Sequence, residues 1–456
     1  MSDSTATDKP ISIEVWLADS PKFQGTDEHS LPDFGEPIVN AADSFNRKYP
    51  KYDVRIRKID FRLLPDAVAE AVAHGSPPDI AEYLYSSTQT ALDMRAHNGD
   101  PLFVSIQRAI GGRTRILGEP VVIKDLLPAV RNYYSTGGEL TSIPTVVTTN
   151  ILFGNKGMLE RAGVERMPAT WQELTAACAA IAELPERPAH GVSWPIYGWL
   201  FHMEIAGQGG LFSNNGNGRT GRSTRLFIDS PEMLNYVRWW QGMHDSGYYH
   251  YTGEPRDYFA AMEAFARREV AFVVTSSAVG QLMGDMAAEA GFELVVGHLP
   301  RYNELSSPGG PVGGQSFFLT AGLPKEKEDG ALAFLQHQLN PQHAVARMYD
   351  RSLPVTEQAY RRAMADDCVE PHPGFRIAAE QVASAERTPA AAGPVVGNLN
   401  GINTVITYAM EDVLLRGADP AIRFRAAAEE AEALLDRHNG AALAYPPVTP
   451  DVLKAG

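Results

Sequence analysis

The chain has 456 residues, 44% hydrophobic and 21% charged, with a formal net charge of −15 at pH 7. That length exceeds one ordinary hydrophobic core and predicts two domains or three; the acidic balance argues against nucleic acid, whose phosphates require clustered Lys and Arg. No apolar run reaches the roughly 18 residues that span a bilayer, and the two cysteines, Cys178 and Cys368, lack a zinc-type spacing, leaving a remote disulfide or two inert thiols open.

The N-terminal "MSDSTATDKP" has no basic segment followed by an apolar one, so it does not read as an export signal. "ISIEVWLA", residues 11 to 18, alternates as a strand. "IVNAADSFNRKYP" is predicted to be a helix with Ile38, Ala41, Ala42 and Phe45 on one face, ended before Pro50. "YDVRIRKID" alternates as a second strand, "LPDAVAEAVAHGSPPD" reads as a helix stopped by Gly75 and the prolines, and "IAEYL" as a third strand. Strand and helix alternate, which predicts a mainly parallel sheet covered on both faces.

"GELTSIPTVVTTNILFGNK" reads as an extended pair around Pro144. In "PATWQELTAACAAIAEL", Thr170 and Glu173 have capping-box spacing: the Thr170 hydroxyl accepts from the N3 amide while Glu173 reaches back to the cap. From Gly191 to Gly221 an aromatic group, Trp194, Tyr197, Trp199 and Phe201, precedes "GQGGLFSNNGNGRTG", which suits either a surface hairpin or the rim of a site. Further helices are expected at "SPEMLNYVRWWQGMHDSG", "DYFAAMEAFARRE", "EDGALAFLQHQLN" and "DPAIRFRAAAEEAEALLDRHN". No linker divides the chain, so any domain boundary should be crossed by several strands.

No nucleophile elbow, H-E-x-x-H, phosphate-binding loop or dinucleotide fingerprint is present, and the histidines have no metal-binding spacing. Neither catalysis nor a cofactor or metal is indicated. "REVAFVVTSSAVG" runs from an apolar strand into Thr275, Ser276 and Ser277 at a helix start, where hydroxyls and free N–H groups meet. A plain helix cap and a polyol-binding turn explain the spacing equally well.

"NILFGNKGMLERAGVERMPATWQEL", residues 150 to 174, resembles the N-K-x-x-L-x-x-A-G-x-x-x-x-P-x-T-W-x-E-L signature of extracellular solute-binding proteins that serve carbohydrate ABC importers. The likeness continues through "REVAFVVTSSAVG", "GGQSFFLTAG", "ALAFLQHQLNPQHAVARMYDRSLPVTEQAY" and "GNLNGINTVITYAMEDVLLRG", and is closest to the glycerol-3-phosphate and glycerophosphodiester receptors. It implies an α/β fold of two lobes joined by three crossovers, closing on ligand in a central cleft. By the same analogy the crossovers fall near 144–149, 313–316 and 352–355, one lobe taking residues 11–145 and 316–351 and the other 146–312 and 355–456. The implied partners are a small carbohydrate and the permease of an importer. The implied state is a monomer, in the periplasm or lipid-anchored outside the membrane, with the export signal absent from this sequence.

The resemblance also supplies site candidates. Asn403 stands where the phosphate-binding branch has Arg, Tyr85 where it has an acidic residue and Ser352 where it has Tyr, replacements that remove the charge match for phosphate. An Arg fork gives bidentate bonds to phosphate, whereas an Asn amide suits hydroxyls, so a neutral mono- or short oligosaccharide is expected, with a glycerophosphodiester receptor or a glycoside-processing enzyme as alternatives. Trp199 aligns with a stacking Trp, while Ile196 replaces a second. Trp16 and Glu82 sit at strand ends where ligand residues begin, although core packing explains Trp16 and a solvated edge explains Glu82 equally well. Ser276 and Ser277 join this set. Thr148 lies beside the first crossover, and Gly313, Gly314 and Gln315 at the second, where glycine serves close approach or a hinge.

Overall fold

A computed structural model describes residues 9–19, 35–306, 310–349, 352–365, 370 and 372–443; Cys368 lies outside them, and Cys178 is a buried free thiol. The described residues form two large sheets and two small two-stranded ones, Arg115–Ile116 with Glu119–Pro120 and Ser135–Thr136 with Glu139–Leu140. In the first, Ile11–Asp19 lies between Tyr52–Asp60 and Ile80–Leu84, parallel to both. Gly313–Thr320 then pairs antiparallel with Ile80–Leu84, with Phe103–Val104 and with Ile143–Thr148. In the second sheet Asn150–Asn155 pairs antiparallel with Val270–Ser276 and Leu294–His298, while His190–Ser193 runs parallel to Val270–Ser276 and to Tyr249–His250. Both sheets are therefore mixed, correcting the mainly parallel expectation: the strands that pass between lobes arrive from the opposite end.

The elements follow their local chemistry. The helix Glu36–Lys48 buries Ile38, Ala41, Ala42 and Phe45, the predicted stripe. The helix Trp171–Ala182 starts at Thr170, whose side chain accepts from the Glu173 amide at 3.2 Å. Glu173 reaches back to the Ala169 amide (2.7 Å), one residue before the cap and not to the cap itself. One face of the second sheet packs on an aromatic core in which Trp171, Trp239 and Trp194 stack at 4.9 and 5.6 Å.

The chain passes from the first sheet to the second across Thr149 alone, between Ile143–Thr148 and Asn150–Asn155. It returns between Leu294–His298 and Gly313–Thr320. A third segment runs beside the first passage, where Leu353 donates its amide to the Val147 carbonyl (2.8 Å) and the Ser352 hydroxyl accepts from the Val147 amide (3.1 Å). Gly314 has φ 129°, and a Cβ there would stand 1.8 Å from the Val146 carbonyl oxygen, so only glycine lets these strands approach. A register shift follows at Gln315/Ser316.

Candidate functional site: a cavity between the two sheets

A cavity of about 230 Å³ lies where the strands cross. Phe61, Leu84 and Tyr85 line it from the first sheet; Trp199, Tyr258, Phe259, Met262, Thr275, Ser276, Ala278 and Val279 line it from the second. Val146, Thr148, Gly313, Gly314 and Gln315 of the passing strands complete it. These sixteen residues include no Lys, Arg, Asp, Glu or His. Its size falls somewhat below the roughly 300–1,000 Å³ typical of small-molecule clefts.

Trp199 sits in the first turn of the helix Gly198–Gly207 and donates its indole N–H to the Pro311 carbonyl at 3.0 Å. Its ring edge lies against the Gly313 backbone, where a Cβ would meet it at 2.5 Å, so glycine is needed for Trp199 to take this place. The Tyr85 ring faces it at 5.8 Å, tilted by 40°. Two aromatic faces thereby meet across the seam from opposite lobes.

The polar groups come from strand ends. Gln315 donates its amide to the Ala18 carbonyl (2.9 Å), while its buried Oε1 has no hydrogen-bond partner among the described residues. Ser276 does two jobs: it lines the cavity, and its hydroxyl accepts from the Ala278 amide at 3.3 Å as a cap. Thr148 and Thr275 add hydroxyl-bearing side chains. Burial holds the Tyr85 and Tyr258 phenols well above their usual range, so both are neutral donors and acceptors at pH 7.

Of the sequence-derived candidates, Tyr85, Thr148, Trp199, Ser276, Gly313, Gly314 and Gln315 meet at this cavity. Five do not reach it. Trp16 turns to the other side of its strand and packs with Leu64, Val68 and Tyr83, the Arg57 guanidinium lying 4.7 Å from its ring. Glu82 is buried, not on a solvated edge; it accepts from the Ala18 amide (3.1 Å) and the Thr145 hydroxyl, and desolvation pushes its carboxyl up to about 7 against those bonds. Ser277 is fully buried and tied to Thr149 through its amide (2.8 Å) and hydroxyl (3.2 Å).

Ser352 is spent on Val147 and on the Leu353 carbonyl. Asn403 is turned against Gly198, where a Cβ would stand 2.1 Å from its Oδ1, and neighbours His202, which burial holds neutral by lowering its pKa to about 3. It therefore offers no amide to the cavity, contrary to expectation. Trp194 and Tyr197 are likewise committed elsewhere, Trp194 to the aromatic core and Tyr197 to Asn150 Oδ1 at 2.6 Å.

Sequence reasoning missed Phe61, Tyr258 and Phe259. Phe61 directly follows the carboxyl end of Tyr52–Asp60, the place where open α/β sheets bind ligands, so its signal was available. Tyr258 and Phe259 open the helix Tyr258–Ala266, and nothing in their spacing marks them. Among the described residues no group of three His, Cys, Asp or Glu is placed to hold a metal, and no helix is long and apolar enough to cross a membrane.

Comparison with known proteins agrees with this architecture. Residues 40–373 match the family model described as bacterial extracellular solute-binding protein. The sn-glycerol-3-phosphate-binding periplasmic protein UgpB of Salmonella paratyphi A is 26% identical over 422 residues, covering 90% of this chain and 92% of the relative. Among solved structures, the sugar-binding protein MalE from Xanthomonas citri superposes with a TM-score of 0.72 at 16% identity, over 95% of this chain and 100% of that one. UgpB from Mycobacterium tuberculosis in complex with glycerophosphocholine gives 0.63 at 19% identity, over 94% and 99%. The relatives are binding proteins and not enzymes. The chain belongs to the bacterial extracellular solute-binding family and has the two-lobed fold of the receptors that serve ABC importers.

Proposed function

We propose that this receptor captures a neutral sugar, of one ring or a few, by closing its lobes about the cavity and presents it to a membrane permease. The observation that carries this reading is the lining: aromatic faces, hydroxyls and a buried free amide oxygen, with no charged side chain among the sixteen residues. Trp199 and Tyr85 supply apolar faces for the C–H side of a sugar ring. Gln315 Oε1 accepts a hydrogen bond from a sugar hydroxyl, and Thr148, Thr275 and Ser276 exchange hydrogen bonds with the remaining hydroxyls. An ionised ligand would leave its charge without a counterion in such a place, a cost of several kcal/mol.

The lobes are residues 11–145 with 316–351 and residues 146–312 with 355–456, and closure turns on the strands that pass between them. The receptor acts as a monomer outside the cytoplasmic membrane, free in a periplasm or held by a lipid.

A second reading, a glycerophosphodiester receptor, has one observation in its favour beyond the kinship with UgpB. The exposed Arg256, bonded to the Thr404 hydroxyl at 2.8 Å, is close enough to Tyr85 and Tyr258 to oppose the rise of their phenol pKa values. Calorimetry against monosaccharides, maltodextrins and glycerophosphocholine separates the two. Stoichiometric binding of an uncharged sugar, insensitive to salt, is expected; binding of glycerophosphocholine alone would overturn the neutral-sugar reading.

A further inference from the structure

The Gly- and Asn-rich stretch after the aromatic group has a use unrelated to the cavity. Asn215, Gly216 and Asn217 take three successive left-handed conformations, φ 54°, 57° and 62°, which Asn and Gly adopt most readily. The turn is held: Asn217 Oδ1 accepts from the Phe212 and Ser213 amides (2.8 and 3.0 Å), and Asn215 Nδ2 donates to the Arg222 carbonyl (2.7 Å). It carries two arginines outward. Arg219, with no carboxylate partner among the described residues, spans the seam: it donates to the carbonyls of Tyr133, the last residue of the helix Pro128–Tyr133, and of Ser135 beyond it, and on its own side to those of Ala392 and Gly393.

Arg222 crosses the seam as well, and there it meets a carboxylate. It grips Asp93, at the end of the helix Thr88–Asp93, with both terminal nitrogens, one at 2.9 Å from Oδ2 and the other on Oδ1. His438 of the last helix also meets Asp93 Oδ2, at 2.8 Å, and Asn439 Oδ1 accepts from Arg222 (3.1 Å). Asp93 belongs with the first sheet, since its helix follows Ile80–Leu84 and Tyr85; Arg222 and His438 belong with the second, whose core holds Leu226 and Leu435. The Asp93 side chain is only 9% exposed, so the contact is largely dry.

We propose that Arg222, His438 and Asp93 form an interlobe clasp that fastens the receptor closed and sets its affinity from outside the cavity. The proposal rests on the hinge-closure reading above. Opening separates the carboxylate from both Arg222 and His438, so the clasp adds to the closed state alone. The measured affinity scales with the closed fraction, whatever the ligand. Tyr85, which faces Trp199, begins the segment that ends at Asp93, so ligand contact and clasp lie on one short piece of chain.

The test uses the full chain, with one fluorescent label on each lobe to report the closed fraction without sugar, alongside calorimetry with the sugars named above. Arg222→Gln and Asp93→Asn are expected to cut the closed fraction and the sugar affinity by the same factor, about tenfold, chiefly through faster release. The double variant should lose no more than either single one. Arg222→Lys, which keeps the charge but not the fork, should fall between, and circular dichroism confirms that each variant is folded. An unchanged closed fraction in Arg222→Gln, or additive losses in the double variant, would overturn the clasp. The label measurement needs no sugar, so a failure of every sugar to bind would count against the ligand reading and leave the clasp standing.

Discussion

The seam between the lobes is furnished in two ways. Around the cavity it offers rings, hydroxyls and glycine backbone, with no charged residue in the lining. At the turn that carries Arg222 it offers a bidentate ion pair with His438 as a third member. The difference follows from where each charge finds its partner. A charge in the cavity would need a counterion from the ligand, whereas Arg222 and Asp93 satisfy each other within the chain and ask nothing of what is bound. The cavity can thus select while the clasp only weights closure, and variants that separate the two roles test the division.

The largest effect is expected from Trp199→Ala on the cavity side. The ring is 6% exposed, so truncation should cost about 3–5 kcal/mol of stability. It should also weaken sugar binding at least tenfold, as losing a buried aromatic anchor does. Trp199→Phe keeps an apolar face but loses the bond to Pro311, and should retain the fold with an intermediate affinity. Thermal denaturation and calorimetry read the two losses separately; full affinity in Trp199→Ala would remove the stacking face from the site.

Next in size is a pH effect at a carboxylate belonging to neither region. Burial raises Glu82 from 4.5 to about 7. The folded chain then keeps a proton that the unfolded chain has released, so stability falls as pH rises from about 4.5 to 7 and the full cost, about 3 kcal/mol at ~1.4 kcal/mol per pH unit, is present above that. Glu82→Gln removes this term, so its stability relative to wild type should rise by about that amount between pH 4.5 and 8, as read by denaturant unfolding. Sugar affinity should be untouched, because Glu82 does not reach the cavity. A parallel loss of affinity would bring Glu82 back into the site.

Much of the scaffold was legible because its signals are local. The stripe Ile38, Ala41, Ala42 and Phe45, the short strand Ile80–Leu84 and the Thr170 cap all follow from periodicity or spacing. The antiparallel pairings were not, since they depend on strands far apart in the chain. Within the site, the ends of the passing strands could be read, and Thr148 and Gly313 to Gln315 do line the cavity. Which face a residue takes could not: Ser276 faces the cavity, while Ser277, one position on, turns to Thr149. Asn403 and Ser352 came from alignment with relatives about a quarter identical, where equivalent positions need not point the same way. The Gly/Asn-rich turn was readable as an irregular segment, but its cross-lobe partner Asp93 lies 129 residues away.

The smallest expected effect is the most exacting for the division between cavity and clasp. Arg256 is exposed, with φ 63°, and among the described residues is a cation whose charge opposes the rise of the Tyr85 and Tyr258 phenol pKa values. Asn tolerates that left-handed backbone, so Arg256→Asn removes the charge without adding strain. Surface changes of this kind usually shift free energy by no more than about 0.5 kcal/mol, and if charge plays no part in recognition the affinity for a neutral sugar should move by about twofold or less. Its dependence on salt should then match that of wild type, because the clasp is intact in both. A loss of tenfold or more, growing as ionic strength falls, would mean that the ligand carries an anionic group after all and that Arg256 supplies the counterion missing from the lining.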